Sequence, residues 1–350
     1  MPSIEDVALK AGVSISTVSR VLNDHPNVSG EKKRAVEKAI SELDYIPNAL
    51  ARGLVTRSTY SIGILISDIA NDFYSILVRS MEDVLNSEGY FTVIGNTDWK
   101  KKKEKKYIKF FRQKQVDGLI LASTTLKGKE IRKFSSDLPV IVLDREMKVG
   151  NIDKIRINDF KGGYLAASHL LDAGYQYLVH IEGPQGIISA EDRRKGFLKA
   201  VEEGGVPGSN FQIVKGHYTK KAGFKAIKRL IENKKNSGKN FSFLNKPLGI
   251  FAANDAMAFG VLNYLNNKGI SCPEKVGVVG FDDVEMSGYT NPSLTSVTRP
   301  ISEIGKRAAS LLLERLKKED GEQVNRDIHF NVELIERQST SLKKTVESIG

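Results

Sequence analysis

The chain has 350 residues, a formal net charge of +11, 40% hydrophobic and 27% charged side chains, five histidines and a single cysteine. Length predicts two or three domains, and the lone Cys272 excludes an internal disulfide and any Cys-x-x-Cys zinc or redox pair. The first residues carry no basic, apolar leader and no run of eighteen apolar residues occurs, so a cytoplasmic protein is expected, neither exported nor membrane-spanning.

Ile4, Val7, Ala8 and Ala11 recur at i, i+3, i+4 and i+7, the apolar face of a short helix that Ser3 and Asp6 can cap. Gly12-Val13-Ser14 breaks it. Val18, Val21 and Leu22 then give a second short helix, capped by Ser14, which must fold back on the first to bury its face. This is a helix-turn-helix pattern. Ile15, Ser16, Thr17, Ser19, Arg20 and Asn23 cannot face the shared core, and such positions enter the major groove in this motif. After Ser29, a third helix bearing Val36, Ala39, Ile40 and Leu43 closes a small bundle with little apolar surface to bury.

The positive charge is not concentrated here: the first 60 residues hold eight basic and seven acidic side chains. Much of the excess sits in the lysine tract 100–106, which reads as the solvated start of a surface helix. Pro47 ends the third helix, and 48–55 has helical composition over only eight residues. A helix that short is marginal in water and needs a partner to order it.

From residue 60 the texture changes to Ile- and Val-rich runs alternating with amphipathic helices. Strands are predicted at 62–66, 91–94, 119–122 and 140–143, with helices over 73–88 and ending near 113. A second series begins near 155, with strands at 178–181, 212–214, 249–252 and 276–280 and helices through His169 and over 190–203, 219–231 and 255–268. Such alternation means parallel sheets covered on both faces, in two doubly wound lobes. The segment 292–300 is expected to cross back to the first lobe, and a last crossing to place a strand near 328–332 in the second.

Ligands of such sheets bind beyond the carboxyl ends of strands. The residues there are Asp68, Asn71, Phe73 and Tyr74; Asp144 and Arg145; Asp192 and Arg193; Asn254 and Asp255; and Asp282 and Asp283. Planar hydrogen-bonding groups with two aromatics suit a polyhydroxylated ligand, whose hydroxyls donate and accept while its C–H faces lie on rings. They form no catalytic set. The sequence also lacks H-E-x-x-H, G-x-S-x-G and P-loop motifs, so no enzyme, cofactor or metal is predicted.

V-S-I-S-T-V-S-R-V-L-N, followed by a third helix and Y-I-P-N-A-L-A-R-G-L, closely resembles the head of the LacI/GalR family of bacterial transcription factors. The resemblance implies an all-α helix-turn-helix head (1–46), a hinge helix and linker (47–59) and an α/β periplasmic-binding-protein-like effector and dimerisation domain (60–342). Its lobes would span about 60–158 with 296–322, and 159–293 with 324–342. Positions aligned with Ile15, Ser16 and Arg20 would read bases, with Thr17 and Ser19 nearer the backbone. Asn48, Ala51 and Leu54 would lie on a hinge helix that pairs with its dimer mate in the minor groove, Leu54 wedging between base pairs.

The strand-end residues resemble periplasmic sugar-binding proteins of the ribose type at Asn71, Phe73, Tyr74, Asp144, Arg145, Arg193, Asn254 and Asp282, with Tyr218 a further aromatic. Asp72 departs from the pattern, standing where proline is usual. The implied function is a homodimeric repressor of a sugar-utilisation operon, bound to palindromic double-stranded DNA and relieved by a ribose-like sugar. The alternative is a catabolite-control regulator activated by a phosphocarrier protein.

Overall fold

The computed structural model describes residues 2–22, 25–45, 58–143, 152–232, 246–317 and 325–340. Asn23, Asn48, Ala51, Leu54, Asp144 and Arg145, with most of the 47–59 connector, lie outside the described residues. The chain forms two units, Met1–Tyr60 and Ser61–Gly350.

The first unit holds α1 (Ile4–Ala11), α2 (Ile15–Leu22) and α3 (Gly30–Leu43). Ser3 and Asp6 cap α1 reciprocally: Ser3 Oγ accepts from Asp6 N at 3.2 Å, and Ser3 N donates to Asp6 Oδ2 at 2.7 Å. Gly12 ends α1 at φ +65°, a left-handed conformation that costs glycine nothing. This sharp exit lets Val13 N reach Ala8 O at 3.0 Å and turns the chain into α2, whose first turn Ser14 Oγ caps by accepting from Thr17 N at 3.3 Å. Val7, Val18 and Val36, one per helix, are wholly buried and centre the core.

In chain order the second unit runs β1 (Ser61–Ile66), α4 (Asp72–Ser87), β2 (Phe91–Asn96), α5 (Lys101–Gln113), β3 (Gly118–Leu121), α6 (Gly128–Ser135), β4 (Val140–Leu143) and β5 (Asp153–Ile157). It continues with α7 (Asp159–Asp172), β6 (Tyr177–Glu182), α8 (Ile188–Glu203), β7 (Phe211–Lys215), α9 (Lys220–Glu232), β8 (Leu248–Ala252), α10 (Asp255–Asn267), β9 (Val276–Asp282), α11 (Met286–Tyr289) and β10 (Thr295–Thr298). It closes with α12 (Ile301–Lys317), β11 (Asp327–Phe330) and β12 (Glu333–Ile335). The strands form two six-stranded sheets, ordered β11-β5-β4-β3-β1-β2 and β12-β10-β9-β8-β6-β7, parallel except for β12.

Both faces of each sheet are covered, so the central strands β3, β4, β8 and β9 are buried at every residue. Ile62, Ile64 and Ile66 of β1 meet Leu77 and Met81 of α4 and Leu311 and Leu312 of α12 on one face; Leu65 meets Phe111 and Ile131 on the other. Among the described residues no helix is long and apolar enough to cross a membrane.

The structure corrects the expected crossings. Strand Asp327–Phe330 belongs to the first sheet, parallel to β5, and only Glu333–Ile335 joins the second. Asp153 explains the placement: its carboxylate takes a bidentate pair from Arg315 of α12 at 2.7 Å and Arg326 N at 2.7 Å, fixing the incoming chain beside β5. Residues 295–298, mostly assigned to the first lobe from the sequence, pair with β9 in the second sheet, so the crossing falls at Arg299 and Pro300. The strand near 155 lies in the first sheet between β4 and β11, and α6 was not anticipated. The three crossings, β5 to α7, β10 to α12 and β11 to β12, all lie at one edge of the sheets.

Candidate effector site and DNA-reading face

A cleft lies between the carboxyl ends of the two sheets and encloses about 560 Å³ of empty space, open solvent at its mouth included. Nearly every lining group follows a strand: Asn71, Phe73 and Tyr74 after β1, Trp99 after β2, Ser123 and Thr124 after β3, and Leu143 at the end of β4. The second lobe supplies Ser189 and Arg193 on α8, Tyr218 after β7, Asn254 after β8 and Asp282 ending β9, and Arg299 comes from a crossing.

Asn71 and Asn254 cap helices and line the cleft at once. Their Oδ1 atoms accept from Phe73 N and Met257 N, each at 3.0 Å, which leaves each amide's NH2 group as the part that can donate to a ligand. Arg193 is 2% exposed; it donates from Nε to Asp159 Oδ1 at 2.7 Å and from Nη1 to Ala253 O at 2.5 Å, while its guanidinium stacks 3.5 Å from the Phe281 ring centroid. Held on three sides, the fork has one fixed orientation. Asp282 sits at φ +115°, a conformation that disfavours side chains, and pairs with Arg299 at 2.7 Å. Burial pushes the Asp282 carboxyl up, and the Arg299 charge opposes that shift. Burial likewise raises the Tyr218 phenol, so that ring stays neutral.

Among the described residues the buried charges at the cleft are matched in pairs: Arg193 faces Asp159 and Arg299 faces Asp282, all four buried. Among the described residues no group of three or more His, Cys, Asp or Glu could hold a metal ion.

Of the residues selected from sequence, Asn71, Phe73, Tyr74, Arg193, Tyr218, Asn254 and Asp282 converge on the cleft. Asp68, Asp192, Asp255 and Asp283 do not line it. Asp68 caps its own turn through Ala70 N, Asp192 pairs with Lys195, Asp283 pairs with Arg337, and Asp255 accepts from Val284 N, Ser287 Oγ and Ser296 Oγ. Trp99, Ser123, Thr124, Ser189 and Arg299 were missed. The rule of looking just beyond each strand finds Trp99 and Arg299 once β2 and β10 are given their full extents.

Buried Glu104 explains Ser123 and Thr124. It accepts from Thr124 Oγ1, Thr125 N (3.0 Å) and Thr125 Oγ1 (2.7 Å) and so sets the loop that presents them. Its lysine neighbours point outward, Lys101 and Lys105 pairing with Glu130 of α6 at 2.7 and 2.8 Å and holding that carboxyl down at about 2.

In the first unit α2 exposes Ile15, Ser16 and Arg20, while Thr17 and Ser19 are half-buried. Ser14 Oγ bonds Ser16 Oγ at 2.8 Å and Thr17 Oγ1 at 2.9 Å, which gathers the hydroxyls at the helix start beside Ile15.

A helix-turn-helix unit joined in one chain to a two-lobed, ligand-binding α/β unit defines a ligand-responsive DNA-binding regulator. Residues 3–48 match the bacterial regulatory proteins of the lacI family, and residues 167–340 a periplasmic binding protein-like domain. Over 318 residues the chain is 38% identical to a ribose operon repressor of Halalkalibacterium halodurans, with 91% of each chain covered. Its fold matches a LacI family transcriptional regulator from Enterococcus faecium with bound ribose at a TM-score of 0.71 and 30% identity, covering 80% of this chain and 98% of that one. It matches the lac repressor dimer bound to operator and the anti-inducer ONPF at a TM-score of 0.82 and 26% identity, covering 97% and 99%. The chain belongs to the LacI family.

Proposed function

We propose that this protein is a cytoplasmic, homodimeric repressor of a sugar-utilisation operon that leaves palindromic operator DNA when a neutral, ribose-like monosaccharide binds the cleft. The observation that carries the ligand class is the pairing of charge: among the described residues, each buried arginine at the cleft is already matched by a buried carboxylate. A phosphorylated ligand would bring uncompensated negative charge into a low-dielectric site, whereas a polyol needs only donors, acceptors and ring faces. Asn71, Asn254, Arg193 and Asp282 supply the first two, and Phe73, Tyr74 and Tyr218 the third. The similarity to a ribose operon repressor and to a regulator with bound ribose supports the sugar.

On the DNA side, Ile15, Ser16 and Arg20 read bases, Ile15 by apolar contact such as a thymine methyl and Arg20 by a bidentate bond to guanine. Thr17 and Ser19 lie nearer the phosphates. The connector with Asn48, Ala51 and Leu54 orders against the duplex, and lobe closure separates its two copies in the dimer. A cleft furnished for sugar favours this scheme over control by a phosphocarrier protein. Anisotropy of the full-length chain on a selected palindromic duplex, with and without D-ribose, tests it. Binding that a monosaccharide weakens is the expected result; affinity indifferent to every pentose and hexose overturns the sugar reading.

A further inference from the structure

The crossings occupy the β5/β11 edge of one sheet and the β10/β12 edge of the other; β2 and β7 are the opposite edges. The segments that follow β2 and β7 therefore flank the mouth of the cleft farthest from the crossings. Trp99 comes from the first, His217 and Tyr218 from the second. The indole centroid lies 5.4 Å from the Tyr218 ring and 6.2 Å from His217, edge-on at 88°, and also 6.2 Å from Tyr74 on its own lobe. Trp99 packs against the apolar cores of both lobes.

The loop is built to hold it there. Asp98 and Trp99 sit at φ +50° and +59°, which non-glycine residues adopt only when their surroundings enforce it. Here Asp98 N donates to Ser67 O at 2.8 Å, and the Asp98 carboxylate takes Asn96 Nδ2 at 2.8 Å and Lys103 Nζ at 2.9 Å.

We propose that Trp99 is the gate that restricts the effector to a single sugar ring, an inference that rests on the sugar reading of the cleft. A second ring linked to the first has to leave through this mouth, where the Trp99, His217 and Tyr218 rings stand across the gap. Removing the indole opens the exit and deletes an aromatic contact between the lobes.

Calorimetric titration of the full-length chain with D-ribose and with cellobiose tests the gate in the parent, Trp99→Ala and Trp99→Phe. The parent binds ribose and excludes cellobiose. Trp99→Ala binds ribose about tenfold more weakly, the size of one lost aromatic pair, and gains cellobiose binding; Trp99→Phe falls between. Trp99→Ala that holds ribose within about twofold, given that a lost pair is worth several-fold, and still excludes cellobiose overturns the proposal. Trp99 is the only tryptophan, so its contact with the second lobe can also be read without sugar: His217→Ala should red-shift the emission and raise acrylamide quenching. Unchanged emission and quenching overturn the gate even if ribose binds. A parent that binds no monosaccharide refutes the sugar reading and the gate with it, whereas a parent that binds ribose but shows either of the overturning results above refutes the gate alone.

Discussion

Arg299 and Asp282 form a buried ion pair at 2.7 Å, with 4% and 3% of their side chains exposed, and Arg299 simultaneously lies 3.6 Å from the ring centroid of Phe73. Asp282 ends β9 in the second lobe, Phe73 opens α4 in the first, and Arg299 sits on the crossing between β10 and α12. One guanidinium thus touches a ligand-facing group of each lobe. A planar cation can satisfy a carboxylate along its edge and a ring on its face together; an ammonium cannot.

Removal of this arginine should be costly. Arg299→Met leaves Asp282 buried without its counter-charge, a loss of about 3 to 5 kcal/mol, seen as a lower urea midpoint. Arg299→Lys keeps the charge and recovers part of that stability, but ribose affinity stays depressed because the stacking on Phe73 is gone. Stability of Arg299→Met within about 1 kcal/mol of the parent, the scale of an exposed ion pair, would show that the pair contributes little.

Asp255 gives a pH dependence. Burial, reinforced by the Asp282 charge, pushes its carboxyl up to about 7, against the pull of its three hydrogen-bond donors. A carboxyl raised in the folded state contributes most below its ordinary value near 3.8, and that contribution is lost as pH rises toward 7. The parent should therefore lose about 2 to 4 kcal/mol relative to Asp255→Asn between pH 4 and pH 8. Urea titrations across that range give the difference. A flat difference would mean that Asp255 ionises normally in the fold.

The two-lobed architecture was legible because its strands are covered on both faces, and runs such as 62–66 and 276–280 carry that burial in their composition. The connections were less legible. In 292–300 the proline-rich ends outweighed Thr295–Thr298, where Thr295 and Ser296 are buried with hydrogen bonds that composition does not announce: Thr295 Oγ1 with Thr340 Oγ1 at 2.7 Å, and Ser296 Oγ with Asp255 Oδ1 at 2.6 Å. Reading that strand as a crossing hid Arg299. Asp255 misled in the other direction: it follows β8 as a ligand residue should, yet the β9 to β10 segment folds over it and takes its oxygens. Strand-end position shows which residues can face the cleft, and only the packing of the next loop shows which do.

The approach of α7 to α8 sets Arg193. A Cβ on Gly163 would lie 2.0 Å from Arg193 O, and one on Gly196 1.9 Å from Phe160 O, so the helices touch backbone to backbone. Gly196→Ala must push α8 away and strain the bond from Arg193 Nε to Asp159. It should cost about 1 to 3 kcal/mol in thermal unfolding and weaken ribose binding more than the stability loss alone explains. Gly208→Ala, with nothing within 4 Å of the added carbon, is the control and should stay within about 0.5 kcal/mol. Equal behaviour of the two variants would mean that the helices can separate freely.

On the DNA side the informative contrast is between Arg20 and Ile15, both exposed on α2 but chemically unlike. Arg20→Ala should cost about 1 to 3 kcal/mol of operator binding and flatten the preference at one base pair. Ile15→Ala removes only apolar contact, so its loss should be smaller, confined to a thymine-bearing position and insensitive to salt, because no phosphate contact is lost and the number of counterions released is unchanged. Anisotropy on the operator and its single-base variants at two salt concentrations separates these outcomes. If Arg20→Ala instead weakens every variant equally and lowers the salt slope by about one, Arg20 grips a phosphate, and base reading must be assigned to Ile15, Ser16 and the hydroxyls beside them.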